Sequence, residues 1–87
     1  MARYEILIKA SAAREIEEIS SRRDRRRIVD RIAALAEDPR PRGCEKLSGL
    51  GKYRIRQGPY RILYSIHDEE LVIHVVKIGH RRDVYRD

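Results

Sequence analysis

The chain has one cysteine, Cys44, in 87 residues. That excludes an internal disulfide and any metal centre built on paired thiolates, and it fits a reducing cytoplasm. No stretch approaches the ~20 apolar residues needed to span a bilayer. The opening MARYEILIK reads as a strand and lacks the apolar core of a signal peptide. His67, His74 and His80 stand apart, without the cysteine or carboxylate spacing of a ligand set, so no metal and no cofactor is expected. Repeats and low-complexity segments are missing too. The length suits one domain, residues 1–87, with a small core. A chain this short buries only about 60–65% of its unfolded surface, so a partner that binds the folded state would add usefully to its stability.

Charge is what the chain has in quantity: 39% of its residues are charged, with a net charge of +6. Such a content could signal disorder, but the periodicity described next argues against it. The excess is localised. Residues 1–39 are nearly balanced, whereas residues 40–61 set Arg40, Arg42, Lys46, Lys52, Arg54, Arg56 and Arg61 against Glu45 alone. Residues 62–76 carry only Asp68, Glu69 and Glu70, and residues 77–87 turn basic again. Clustering of this kind points to a polyanion, most simply nucleic acid, with a merely solubilising face as the plainer alternative.

The pattern predicts an α+β fold. YEILIKA alternates Tyr4, Ile6 and Ile8 against Glu5, Leu7 and Lys9, which is a strand. Ser11 is a candidate N-cap for a helix carrying Ala12, Ile16 and Ile19 at helical spacing. Ser20–Asp24 reads as a bend. A second helix follows, with Ile28, Ile32 and Leu35 on one stripe and Pro39 as its stop. Residues 37–46, EDPRPRGCEK, read as a loop. Gly51–Gln57, Tyr60–His67 and Leu71–Ile78 read as strands, the last a continuous apolar run suited to burial on both sides. The expected order is β-α-α-β-β-β, a helical hairpin packed on one face of a mostly antiparallel four-stranded sheet.

The stretch GKYRIRQGPYRIL raises a physical question. In a strand, Arg54 and Arg56 share a face that Tyr53 and Ile55 do not. If Gly58-Pro59 is a two-residue turn, Gln57 opposes Tyr60, Arg56 opposes Arg61, and Arg54 opposes Leu63. Like charges directly opposed across strands are destabilising by a few tenths of a kcal/mol. An anion between them reverses the sign. Arginine's planar donors match phosphate oxygens in pairs and stay charged at any working pH, so this trio suits a phosphate on which charge is building. Pairing of the same guanidinium groups with helix glutamates is the alternative. The arginines of RRDRRR (Arg22, Arg23, Arg25, Arg26, Arg27) spread around a helix among Asp24 and Asp30, as a solvated face does.

KYRIRQGPYRILYSI followed by LVIHVVKIGHRRDVYR resembles the RelE toxins of bacterial and archaeal toxin–antitoxin pairs, within the wider RelE/ParE superfamily. The likeness spans nearly the whole chain, including the opening strand, SAAREI, Asp38-Pro39 and KLSGLGKYRIR. The pairing of YRILY with a closing IGHRRDVY is its most specific part. The resemblance implies a toxin that enters the ribosomal A site and cuts mRNA there, using the RNA's own 2′-hydroxyl on the adjacent phosphate. It also implies a cognate antitoxin as partner. The catalytic positions it implies are Arg54, Arg56, Arg61, Arg81 and Tyr85, with Lys52, His80 and Arg82 as further RNA contacts. Arg61 and Arg81 would hold the scissile phosphate, and Arg54 and Arg56 would grip flanking backbone or assist the leaving oxygen. Tyr85 would serve as base, its phenol acidified by neighbouring arginines. Arg54 and Arg56 stand where well-known members carry lysine, so the general acid is not assigned; His80 is one candidate, since histidine is the side chain suited to proton transfer near neutral pH.

Of the remaining residues, His74 in the apolar last strand reads as a hydrogen-bonded core residue and His67 as a surface one. Tyr53, Tyr60 and Tyr64 read as packing residues, and Cys44 as an inert loop thiol. The alternative to an RNase is a ParE-like toxin of the same fold that poisons DNA gyrase by binding. An inactive nucleic-acid-binding module is a third reading.

Overall fold

Residues 3–47 and 51–80 are described by the structure, a computed structural model. The alternating opening segment forms β1 (Glu5–Ile8), and two helices follow, α1 (Ala10–Glu17) and α2 (Arg22–Ala34). The rest is extended: β2 (Glu45–Lys46), β3 (Lys52–Gln57), β4 (Tyr60–His67) and β5 (Val72–His80). Together they make a sheet in the order β1-β5-β4-β3-β2, in which, among the described residues, the β1–β5 pairing is parallel and the others antiparallel. The expected order and layering hold, with one more strand than expected.

The helical hairpin covers one face. Ala12, Ile16 and Ile19 from the first helical segment, with Ile28, Ile32 and Leu35 from the second, meet Tyr53, Ile55, Ile62, Tyr64, Ile66, Ile73, Val75 and Ile78 of the sheet. Each fully buried isoleucine or leucine contributes about 1.5–3 kcal/mol of burial free energy. β4 lies at the centre, and Arg61 through Ile66 are all buried. Tyr53 and Tyr64 stack with ring centroids 5.9 Å apart, in keeping with their packing role.

Several local expectations are corrected. Ser11 lies inside α1, whose N-cap is Lys9 without a side-chain bond. The capping serine is Ser21, whose hydroxyl accepts from the Asp24 amide at 3.2 Å, so the second helix starts within the stretch read as a bend. α2 stops well before Pro39: Leu35, Ala36 and Glu37 donate to the carbonyls of Ile32, Ala33 and Ala34, a tightening that ends the helix. Glu45 and Lys46, read as loop, pair with Arg54 and Tyr53 to form the fifth strand. Gly51 precedes β3 with φ +59°, and Leu71 precedes β5 with φ +56°, outside the strand conformation.

The last strand is not buried on both sides. Ile73, Val75 and Ile78 face the helices, whereas His74 is exposed, its ring edge-on to that of His67 with centroids 5.7 Å apart. The alternation of the pleat sends His74 to the face that the helical hairpin leaves uncovered.

Away from the hairpin turn, a polar tie closes the fold. The Tyr64 hydroxyl donates to the Pro39 carbonyl at 2.8 Å. Arg40 donates to both oxygens of Asp68 at 3.3 and 2.8 Å and, through Nε, to the Tyr53 hydroxyl at 3.1 Å. Tyr4 adds a hydrogen bond to Asp68 at 2.6 Å. Burial pushes the Tyr64 phenol up, and the bonds from Arg40 and Tyr4 hold the Asp68 carboxyl below its usual range.

Candidate functional site

The β3–β4 hairpin has the register that the sequence predicts. Gln57 pairs with Tyr60, Arg56 with Arg61, and Arg54 with Leu63. Gly58 in the turn has φ +60°, a conformation that glycine reaches without steric cost. Because Tyr53 and Ile55 are buried in the core, Lys52, Arg54 and Arg56 lie on the opposite face of β3, away from the helices. Arg61 alternates with the core residue Ile62 and belongs to that same face, where it is 4% exposed. One of its terminal nitrogens donates to the Tyr60 carbonyl at 3.4 Å. A buried guanidinium thus lies directly across from the exposed Arg56, with Arg54 and Lys52 further along the strand.

Arg54 has a carboxylate partner, though not on a helix. Its Nε and Nη2 donate to Glu45 Oε1 of β2 at 3.2 and 3.0 Å. The Glu45 side chain is 63% exposed, so water competes for it, and such pairs contribute about 1 kcal/mol or less. Sequence reasoning missed Glu45 because two residues are too few to read as a strand.

His80 is placed differently from expectation. Its ring lies edge-on to Tyr60 with centroids 6.0 Å apart. Tyr60 packs against the core beneath the helices, and with Glu15, Glu18, Ile78 and His80 it lines an open cleft of about 340 Å³. The histidine is therefore on the helix side, not with Arg56 and Arg61, because the register pairs it with Tyr60 while Gly79 pairs with Arg61. Arg81, Arg82 and Tyr85 lie outside the described residues. Among the described residues, no group of three or more His, Cys, Asp or Glu is arranged to hold a metal ion. None of the helices there is long and apolar enough to cross a membrane.

Two helices packed on one face of a mostly antiparallel five-stranded sheet match the RelE-like toxin structures. The family model for the ParE toxin of type II toxin-antitoxin system, parDE, matches residues 6–85, and the chain belongs to that family. Among solved structures it is similar to the archaeal RelE–RelB complex from Pyrococcus horikoshii OT3, with 28% identity, a TM-score of 0.82, and coverage of 91% of this chain and 96% of that one. It is also similar to the toxin–antitoxin complex RelBE2 from Mycobacterium tuberculosis, with 26% identity, a TM-score of 0.80, and coverage of 93% and 94%. Toxin RelG of Mycobacterium tuberculosis is 42% identical over 36 residues. That match spans 41% of this chain and 41% of the relative's length.

Proposed function

We propose that this toxin is a ribosome-dependent endoribonuclease that cuts mRNA in the ribosomal A site and so stops translation in the cytoplasm. The observation that carries the reading is the register of Arg56 against Arg61, with Arg54 and Lys52 beside them, on the sheet face the helices leave uncovered. A phosphodiester seated there meets fixed donors that do not reorganise as charge accumulates. In the reaction, the 2′-oxygen bonds to the adjacent phosphorus and the bond from phosphorus to the 5′-oxygen breaks. The products are a 2′,3′-cyclic phosphate and a 5′-hydroxyl. Arg61 and Arg81 hold the phosphate, Arg54 and Arg56 steady the flanking backbone and leaving oxygen, and Tyr85 takes the 2′-hydroxyl proton. Lys52 and Arg82 add backbone contacts. Arginine scarcely gives up a proton, and His80 lies on the other face. The leaving oxygen therefore takes its proton from solvent, and the rate depends mainly on electrostatics.

The cognate antitoxin is the expected partner, as in the solved RelE–RelB complexes. An antitoxin that silences this face should present carboxylates to it, in the way Glu45 already meets Arg54. A second reading is favoured by the description of the matching family model: a ParE-type toxin that acts on DNA gyrase by binding, without RNA chemistry. Inducing the toxin in cells separates them. The RNase reading expects translation to stop first, with mRNA cuts inside codons that Arg61→Ala abolishes. Gyrase-linked DNA breaks with intact mRNA would overturn it in favour of the second.

A further inference from the structure

We propose that Glu15 is a positioning residue for the toxin's reaction: its carboxylate accepts the Ile78 amide where, among the described residues, no neighbouring strand does, and so fixes the end of β5 that precedes Arg81 and Tyr85 in the chain. The inference rests on the RNase reading above.

β1 ends at Ile8, paired with Val75, and the Lys9 amide makes the last bond on that side by donating to the Val75 carbonyl at 2.9 Å. From Val76 to His80, β5 runs on with β4 as its paired neighbour on one flank and, among the described residues, no strand on the other. An outward-pointing amide in such a half-buried place is costly to leave without an acceptor. The Ile78 amide has one: Glu15 Oε1 accepts it at 2.8 Å. The other oxygen, Oε2, accepts from Lys77 Nζ at 3.3 Å, which offsets the carboxylate's charge. A charged acceptor makes the amide bond stronger than an ordinary strand bond.

The arrangement is set by both elements. On α1, Glu15 sits beside the buried Ala12 and Ile16, at the rim of the face that packs on β5. On β5, the register slips between Leu63 and Tyr64 of β4, so that Val75 pairs with Tyr64 but Lys77 pairs with Leu63. That irregularity leaves Val76 over and re-aims the strand where Lys77 reaches Glu15. Immediately beyond, Gly79 pairs with Arg61, and Arg81 follows His80 in the chain. Glu15 touches no substrate in this reading. It fixes the end of β5, which stops at His80 one position before Arg81 in the chain, relative to Arg61 in β4. Small displacements of a reacting geometry cost up to about 100-fold in rate.

The test combines amide exchange by NMR with cleavage of mRNA on purified ribosomes, using the full chain. In the wild type, the Ile78 amide should exchange slowly. In Glu15→Ala it should exchange at least about tenfold faster, while Ile62 and Ile73 stay protected. In the same variant kcat should fall about tenfold or more, with KM for ribosomes changed less than about threefold. Glu15→Gln, which keeps a carbonyl acceptor, should restore most of both. Glu17→Ala, on the exposed side of the helix, should change neither. Unchanged exchange at Ile78 in Glu15→Ala would overturn the proposal, as would full cleavage by that variant. Should Glu15→Ala fail to fold, wild-type protection at Ile78 and the Gln variant still decide: fast exchange in the wild type, or loss of both readouts in Glu15→Gln beside an intact Lys77→Met, sinks it. A wild type that makes no cuts defeats the RNase reading, while the exchange measurement still reports on the clamp.

Discussion

Arg56 faces Arg61 across the hairpin, and removing one of the two charges should make the free toxin more stable. Opposed Cβ atoms lie about 4.5–5.5 Å apart, and long side chains can splay their heads to about 7 Å. At that distance two unit charges repel by about 0.6 kcal/mol in water and about 2.4 kcal/mol at an effective dielectric of about 20. Arg61 is buried but Arg56 is exposed, so the solvent-side value is the better guide, about 0.5–1 kcal/mol. Arg56→Gln keeps most of the aliphatic stem and removes only the charge. For a domain of this size that gain raises Tm by about 2–8 °C. The effect should be largest in dilute buffer and shrink towards zero near 1 M sodium chloride, where the Debye length is about 3 Å. Thermal melts followed by circular dichroism at both salt concentrations measure it. On the function proposed above, in which this face seats a phosphate, the same variant should also bind RNA less well. If Arg56→Gln melts below the wild type in dilute buffer, or its gain is indifferent to salt, the two guanidinium groups are not in electrostatic conflict and the reasoning fails.

Arg61→Ala and Arg81→Ala should each lower mRNA cleavage by about 100-fold or more, as loss of a fixed donor to a charged transition state does, read in a ribosome-based cleavage assay. On the proposed role of Tyr85 as base, Tyr85→Phe should cost a similar factor, with ribosome binding retained. Tyr64→Phe leaves the Pro39 carbonyl without its donor and should cost about 1–3 kcal/mol, seen as a lower urea midpoint with unchanged slope. Asp68 has its carboxyl pKa depressed by the bonds from Arg40 and Tyr4, so its stabilising contribution is complete above about pH 5 and is lost as pH falls below about 4. Asp68→Asn should flatten the fall in stability across that acid range. A variant as acid-sensitive as the wild type there would remove Asp68 from the account.

Period and parity carried far in this chain. The helical stripe of Ile28, Ile32 and Leu35 is the buried stripe, and the Gly58-Pro59 turn gives the pairing of Arg56 with Arg61 by counting alone. What could not be read depends on contacts between distant segments. Glu45 joins the sheet through only two residues, and nothing local marks it as the partner of Arg54. His74 looked like core because its neighbours are apolar, yet an apolar strand is buried on both sides only if both faces are covered. His80 reads from the sequence as an RNA contact together with the arginines, yet in β5 it pairs with Tyr60 and lies on the helix side. The tie of Arg40 to Asp68 spans 28 positions, and the Ile78 bond to Glu15 spans 63. No window of sequence contains either.

The account rests on an RNA 2′-hydroxyl attacking a phosphate held by this arginine face. The direct test is an mRNA with a single 2′-deoxynucleotide at a mapped cutting position, programmed into ribosomes and treated with the purified toxin. The expected result is loss of cutting at that position alone, with 2′,3′-cyclic phosphate ends at the unmodified sites. Cutting that survives the deoxy substitution, or no cutting of either message, contradicts it.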